Sequence, residues 1–114
     1  MKRDFTYIDD VVECVVKTLI HIPSGSSVPY KVYNIGNHSP VSLLDFIRVI
    51  ERATGKTANK QMLPMLPGDV PMTYADVDNL MKDVDFRPST PLDIGISKFV
   101  DWYQEYNLKE VCSA

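Results

Sequence analysis

Glycine is scarce in this chain of 114 residues: only five are present, and they are scattered along the sequence. A dinucleotide cofactor is usually bound at a glycine-rich turn before a helix, where backbone N–H groups meet the pyrophosphate. Because the chain has no such cluster, we expect it to hold no dinucleotide by itself.

Long hydrophobic runs are also missing. No segment approaches the roughly 20 consecutive apolar residues that a membrane-spanning helix needs, since charged residues interrupt every apolar stretch. The first four residues, Met-Lys-Arg-Asp, are not followed by the apolar region of a secretory signal. The sequence therefore predicts a cytoplasmic protein without a membrane anchor.

Cysteine and histidine are too few and too dispersed for a metal site. Cys14 lies in an apolar helical pattern and Cys112 near the carboxy terminus, with no Cys-x-x-Cys pair. Neither His21 nor His38 has acidic or cysteine neighbours at metal-ligand spacing. We interpret Cys14 as a buried structural thiol, assign no role to Cys112, and expect no metal.

Positive charge is not concentrated anywhere in the chain. Twelve Lys and Arg against fifteen Asp and Glu give a net charge of −3, and no basic stripe could neutralise a phosphate backbone, which argues against nucleic acid as a partner. A composition of 45% hydrophobic and 24% charged residues is that of one small globular unit. Such a unit buries a modest core, so we expect it to lose stability without a large neighbour.

Apolar residues recur at helical spacing in four segments, which predicts helices near residues 9–22, 42–54, 76–83 and 91–106. The second is the best defined, because Ser42 and Asp45 resemble a capping box and Gly55 stands where a terminal glycine belongs. We expect Asp76 to cap the third helix and Thr90 to cap the last.

Strands are predicted near residues 3–7, 30–35 and 58–63, where β-branched, aromatic or alternating residues occur. Residues 23–27, rich in Ser and Gly, form a predicted loop, and we interpret the serines there as loop residues because they lack a neighbouring base. Three prolines make residues 64–71 a second loop. We expect a tail without regular structure over residues 107–114.

Two groups of residues have both a functional and a structural interpretation. The pair Asp9 and Asp10 suits general acid and base chemistry, but it falls where a helix begins, so we favour a capping role. The last helix carries a stripe of large residues that we assign to core packing rather than to stacking on a cofactor. The stripe consists of Leu92, Ile96, Phe99, Tyr103 and Tyr106, flanked by Trp102.

Four short sequence blocks occur in an order that is informative about the protein family. They are Arg-Asp-Phe-Thr-Tyr-Ile-Asp-Asp at 3–10, Tyr-Asn-Ile-Gly at 33–36, Pro-Gly-Asp at 67–69 with Thr-Tyr-Ala-Asp at 73–76, and the segment from Pro91 to Tyr103. Together they resemble the carboxy-terminal third of an NAD-dependent nucleotide-sugar epimerase/dehydratase of the extended short-chain dehydrogenase/reductase type, most similar to the UDP-glucuronate 4-epimerases. The resemblance covers about residues 1–106.

The resemblance implies roles for three residues. Arg3 matches the arginine that contacts the substrate diphosphate, for which a planar guanidinium with paired donors is well suited. Asp69 matches an aspartate that accepts hydrogen bonds from the ribose hydroxyls, and Gly68 would let the backbone approach the ligand closely. The structural alternatives are a surface ion pair of Arg3 with Asp4 or Asp9, and a turn role for Asp69.

One position departs from the family pattern. Many relatives have an arginine or glutamine immediately before Pro-Gly-Asp, and here the residue is Leu66, which has no hydrogen-bond donor in its side chain. If no other group compensates, we expect binding of the diphosphate to be weaker by about 1–3 kcal/mol.

The family's catalytic base is missing as well. No tyrosine in the chain is followed by lysine four positions later, so the tyrosine–lysine pair of such enzymes cannot come from this segment, and we assign it no catalytic residue. The resemblance implies a small α/β substrate-binding domain over residues 1–114, with short strands and about four helices. The Rossmann domain that binds NAD would lie in an amino-terminal part of the parent enzyme.

The function implied is therefore the UDP-sugar-binding portion of a nucleotide-sugar 4-epimerase, inactive alone. The expected partners are a UDP-sugar, the Rossmann domain of the parent and a possible second copy of the chain, because exposed Phe5 and Tyr7 would favour association. Two alternatives stay open at this point: a fragment of a sugar-nucleotide dehydratase or reductase, and a standalone binding module without catalytic function.

Overall fold

The computed structural model describes residues 1–24 and 28–111, and contains four helices and two short strands. In chain order these are β1 (Lys2–Arg3), α1 (Ile8–Leu19), β2 (Val41–Ser42), α2 (Leu43–Thr54), α3 (Asp78–Val84) and α4 (Leu92–Val111). No helix in this part of the chain has the length and apolar character that crossing a membrane requires.

β1 contacts two different segments of the chain. On one side it pairs antiparallel with β2, with Lys2 opposite Ser42 and Arg3 opposite Val41. On its other side Lys2 forms an isolated parallel bridge with Met72. The amino-terminal strand therefore joins the start of α2 to a segment that is distant in sequence.

The prediction for α2 is confirmed at both ends. The Ser42 hydroxyl accepts a hydrogen bond from the Asp45 N–H at 3.2 Å, which satisfies one of the free donors of the first turn. Gly55 ends the helix with φ of 67°, a left-handed conformation that glycine adopts without steric cost.

α1 begins at Ile8 and ends at Leu19, three residues before the predicted end. Cys14 is fully buried on its inner face, as predicted, and this burial, together with the charge of Asp10, raises the pKa of its thiol. The acidic pair lies in the first turn of α1, as predicted, but its predicted capping role is wrong, because the N-cap residue is Tyr7 and no side chain caps the helix. The carboxylate of Asp10 instead reaches residues 89–90.

The starts of α3 and α4 also differ from prediction. Val77, not Asp76, is the N-cap residue of α3, although the Asp76 carboxylate accepts a hydrogen bond from the Asp78 N–H at 3.1 Å. The first hydrogen bond of α4 runs from Gly95 N–H to the Pro91 carbonyl, while the Thr90 hydroxyl donates to Asp10. Thr90 thus serves a tertiary contact rather than the predicted helix cap.

α4 continues to Val111, five residues beyond its predicted end. Residues 107–111 are therefore helical, which corrects the predicted tail in that part. Residues 112–114, including Cys112, and residues 25–27 of the predicted serine-rich loop lie outside the described range.

The strand predictions hold only in part. β1 is two residues long instead of five, and residues 30–35 and 58–63 form no strand. A β-strand needs a second strand hydrogen-bonded to its backbone. Within the described residues, no strand pairs with either of these segments. Residues 30–35 are attached to α3 through side chains instead: the Lys31 ammonium and the Tyr33 hydroxyl both donate to the Asp83 carboxylate, the latter at 2.7 Å.

The buried core is small. α2 packs against α4 and α1 against α3, and the Phe5 ring stacks on Phe46 with centroids 4.2 Å apart. The buried apolar side chains that the structure describes include Cys14, Val77, Leu80 and Val100. Most other large apolar residues are partly or largely exposed.

The aromatic residues of α4 contradict the predicted core packing. Phe99, Trp102, Tyr103 and Tyr106 are each 51–56% exposed. Their rings contact one another along the helix, with centroids 5.6–6.2 Å apart. Because α2 covers only one side of α4, the described chain provides nothing to cover these rings.

The chain is extended for its mass. It exposes 8847 Å² of surface, whereas a folded monomer of 12.9 kDa exposes about 6,300 Å². Its radius of gyration is 18.1 Å, against about 13 Å for a compact domain of this length. The difference is surface that a self-contained domain would bury.

Candidate functional site

The contacts of β1 with residues 71–73 determine where Arg3 lies. Lys2 N–H donates to the Pro71 carbonyl at 2.9 Å, and Thr73 N–H donates to the Lys2 carbonyl at 3.2 Å. These two bonds fix residues 71–73 alongside β1. The loop of residues 64–71 therefore ends directly beside Arg3.

Residues 66–69 form a tight turn, which we call the Asp69 turn. Asp69 N–H donates to the Leu66 carbonyl at 3.1 Å, and Gly68 has φ of 93°. Proline at the second position and glycine with positive φ at the third are typical of a type II turn. The positive φ is what favours glycine at position 68, because no neighbouring atom lies within 4 Å of the place that a Cβ would occupy.

The Arg3 guanidinium contacts this loop directly. Its Nη1 donates to the carbonyl of Val70 at 2.8 Å and to that of Lys2 at 2.9 Å. Neither Asp4 nor Asp9 pairs with it within the described residues, so the alternative of a surface ion pair does not apply to Arg3 here. The side chain instead holds the residue that follows Asp69.

The Arg3 guanidinium and the Asp69 turn form a surface that we call the Arg3 edge, and its remaining donors and acceptors are free within the described residues. A guanidinium has five N–H groups, and the two bonds made by Nη1 leave those on Nε and Nη2 without a protein partner. The Asp69 carboxylate is exposed and has no hydrogen bond or ion pair. Leu66, 71% exposed at the first position of the turn, adds no polar group.

The candidate site is open rather than enclosed. Among the clefts formed by the described residues, three have volumes of about 340–410 Å³, and neither Arg3 nor Asp69 lines these three. The nearest, a polar cleft of about 410 Å³, includes Asp4, Thr6, Asn34 and Thr73. The structure thus brings the two predicted residues to one edge without building the walls of a pocket around them.

Several residues beside the site did not stand out in the sequence. Asp4 and Thr73 link β1 to residues 73–75, and His38 pairs with Tyr74. The His38 Nδ1–H donates to the Ala75 carbonyl at 3.1 Å, so in the neutral ring Nε2 accepts from the Tyr74 hydroxyl. The location of Asp4 and Thr73 inside recognisable blocks was the only available signal.

No group of three histidine, cysteine or acidic side chains able to hold a metal ion occurs within residues 1–24 and 28–111. The four described glycines form no glycine-rich turn: Gly36 and Gly95 are buried against neighbouring side chains, Gly55 ends a helix, and Gly68 lies in the Asp69 turn.

No model of a protein family matches this sequence, but individual proteins do. CapI of Staphylococcus aureus is 48% identical over 122 residues, which cover 96% of this chain and 36% of CapI. UDP-glucuronate 4-epimerase 4 of Arabidopsis thaliana is 37% identical over 91% of the chain and 26% of its own length. The crystal structure of UDP-glucuronic acid 4-epimerase from Bacillus cereus, in complex with UDP-glucuronic acid and NAD, superposes with a TM-score of 0.75 at 31% identity.

The chain is homologous to NAD-dependent UDP-sugar epimerases. The homology is partial, because the chain spans about a quarter to a third of the length of these relatives; the match to the Bacillus cereus enzyme covers 90% of the chain and 32% of that structure. The fold predicted from the sequence blocks thus agrees with part of an epimerase structure in its four helices, while the sheet is smaller than predicted.

Proposed function

We propose that this epimerase homologue is the UDP-sugar-binding portion of a UDP-glucuronate 4-epimerase, corresponding to its carboxy-terminal substrate-binding domain. The observation that supports this most directly is the bond from Arg3 to the Val70 carbonyl. It brings the one arginine of the first motif beside the turn that carries Asp69. Homologues named as UDP-glucuronate 4-epimerases favour this substrate over that of a dehydratase or reductase.

The chemistry of the two side chains suits the two ends of a nucleoside diphosphate. The free N–H groups of Arg3 would bind diphosphate oxygens with charge-assisted hydrogen bonds, which are stronger than neutral ones. The Asp69 carboxylate only accepts hydrogen bonds, as hydroxyls of a ribose require. Binding the nucleotide here would orient the sugar toward reacting groups in the rest of the protein.

The rest of the epimerase would have to supply NAD and the catalytic base. This chain contains neither a dinucleotide turn nor a tyrosine–lysine pair, so alone it is expected to bind nucleotide without performing the reaction. The open geometry of the Arg3 edge agrees with this, because the missing walls of the pocket would come from the same additional part.

The exposed face of α1 is where we expect the amino-terminal Rossmann domain of the parent enzyme to pack. Val12, Val15, Val16 and Leu19 lie on one side of this helix and are 47–77% exposed, with the spacing of an amphipathic stripe. Covering them would remove part of the excess surface described above. Without that domain, the same face is available to a second copy of the chain.

Calorimetric titration with UDP and with uridine tests the proposed site, in the natural polypeptide that carries this sequence. Arg3→Ala is expected to weaken UDP about 10- to 100-fold and leave uridine nearly unchanged, because only UDP has the diphosphate. Asp69→Asn is expected to weaken both ligands, because both contain the ribose.

Arg87→Ala is the matched control, since Arg87 is an exposed arginine on the segment between α3 and α4. It removes the same charge and is expected to change UDP affinity less than twofold. Equal UDP affinity in Arg3→Ala and Arg87→Ala would contradict the proposed function, as would a parent protein that binds neither UDP nor UDP-glucuronate.

A further inference from the structure

The carboxylate of Asp4 is a junction between distant segments. Its Oδ2 accepts from the His38 N–H at 3.1 Å and the Ala75 N–H at 3.3 Å, and its Oδ1 accepts from the Ser39 N–H at 3.2 Å. These donors belong to segments 34 to 71 residues away in sequence. One side chain thus holds the loop before β2 and the segment after the Asp69 turn to the amino-terminal strand.

Thr73 makes the reciprocal contact. Its hydroxyl accepts from the Asp4 N–H at 3.1 Å, and its own N–H bonds to the Lys2 carbonyl. Residues 71–75 are therefore attached to residues 2–4 through both backbone and side chains. Thr73 lies four residues after Asp69, so this attachment constrains the position of the Asp69 turn relative to β1.

Close packing around the junction leaves little room for another arrangement. A Cβ on Gly36 would lie 2.3 Å from the Cβ of Ala75 and 3.0 Å from Oδ2 of Asp4. The first contact is far shorter than van der Waals separation, and the second is tight. The three segments that meet at Asp4 are therefore held in one register by hydrogen bonds and by steric fit.

We propose that Asp4 and Thr73 are positioning residues that hold the Asp69 turn in register with Arg3, so that the diphosphate and ribose contacts can form together. This inference rests on the proposed function of the Arg3 edge. Neither residue is assigned a contact with the ligand. They would raise UDP affinity indirectly, by increasing the fraction of molecules in which the Asp69 turn is already in the binding position. The apparent affinity falls when that fraction falls.

Substitutions at Thr73 separate the hydroxyl from the rest of the side chain. Thr73→Val removes the acceptor for Asp4 at nearly constant volume, and Thr73→Ser restores it. Thr90→Val is the matched control, because the Thr90 hydroxyl also bonds a carboxylate, that of Asp10, about 80 residues away in sequence. Each variant is made in the natural polypeptide and studied by hydrogen–deuterium exchange and by titration with UDP.

In Thr73→Val we expect amide exchange over residues 68–73 to become about 2- to 10-fold faster, the range for loss of one hydrogen bond. UDP affinity is expected to fall about two- to fivefold. Thr73→Ser should recover both values to within twofold. Thr90→Val is expected to lower thermal stability and leave both measurements at this turn unchanged.

Unchanged exchange over residues 68–73 in Thr73→Val would overturn the inference, as would faster exchange with unaltered UDP affinity. Equal effects of Thr90→Val at the turn would also overturn it, because they would indicate general loss of stability. If the unsubstituted protein fails to bind UDP, the proposed function is wrong and the ligand part of the inference is wrong with it. The exchange data would then show separately whether Thr73 holds the turn.

Discussion

Asp4 and Asp10 lie six residues apart in the same sequence block, and both act as acceptors at a junction of distant segments. Asp4 accepts three backbone N–H groups. Asp10 accepts the N–H groups of Ser89 and Thr90 and the Thr90 hydroxyl, at 2.8–3.0 Å. A carboxylate can accept several such bonds because each oxygen offers two lone pairs.

The two junctions differ in burial and in what they join. Asp10 is 9% exposed and ties the first turn of α1 to the segment before α4, so it joins two helices. Asp4 is more exposed and ties loops around the Arg3 edge. Identical residues of one motif therefore form two different junctions: the buried Asp10 joins two helices, whereas Asp4 joins loops beside Arg3, where we propose that the nucleotide binds.

Removing the Asp10 carboxylate is expected to have the largest effect on stability. Asp10→Ala leaves two backbone N–H groups without their acceptor in a partly buried site, and we expect the free energy of unfolding to fall by about 3 kcal/mol. Urea denaturation measures this change. Asp9→Ala is the control: Asp9 is 70% exposed and its ion pair with Lys98 spans 3.9 Å, so a loss below about 0.5 kcal/mol is expected. Similar losses for both variants would refute the distinction.

Asp4→Ala is expected to lower the free energy of unfolding less, by about 1–2 kcal/mol, because water can replace part of the lost contacts at a more exposed site. At a temperature where the variant stays folded, it should bind UDP more weakly than Asp10→Ala does. Urea denaturation and calorimetric titration of both variants decide this. Weaker UDP binding by Asp10→Ala would reverse the assignment of the two junctions.

A third carboxylate, that of Asp83, differs from those of Asp4 and Asp10 because both of its hydrogen-bond donors are side chains. Hydrogen bonds from Lys31 and then Tyr33 hold the pKa of Asp83 below its ordinary value. A lowered pKa means that the ionised form is favoured in the folded state, so its stabilisation is present above the unfolded value and is lost as the pH falls through the lowered pKa.

The expected effect at Asp83 is the smallest of the three, since the pair with Lys31 lies near the surface. We expect the melting temperature of the unsubstituted protein to exceed that of Asp83→Asn at pH 6, and the two values to converge as the pH falls through the lowered pKa of Asp83. Thermal denaturation across this range provides the measurement. A constant difference at all pH values would indicate that the contribution of Asp83 is not electrostatic.

Helix α2 shows what could be predicted from the sequence alone. Ser42, Asp45 and Gly55 are all within the helix or next to it, so the residues that start and stop it are adjacent in sequence. The same holds for burial of Cys14, which follows from its position on the apolar side of α1. Local signals of this kind do not depend on the rest of the protein.

The predictions that were wrong concern residues whose structure depends on contacts with segments distant in sequence. Residues 30–35 have strand-like composition but no strand beside them, and the rings of α4 have the spacing of a core stripe but no covering element in the described chain. Both predictions assumed that the chain supplies its own neighbours. Asp10 was interpreted as a helix cap for the same reason, since its true partners are 79 and 80 residues away.

The amino-acid sequence alone predicted four helices, a loop over residues 64–71 and the membership of Arg3 and Asp69 in recognisable motifs, because each depends on residues close together in the chain. Only the tertiary structure decided that Arg3 lies beside the Asp69 turn and that Asp4 and Asp10 hold different junctions. Those contacts join groups 34 to 80 residues apart. Their formation depends on how β1 pairs and how the helices pack, which no local pattern of side chains encodes.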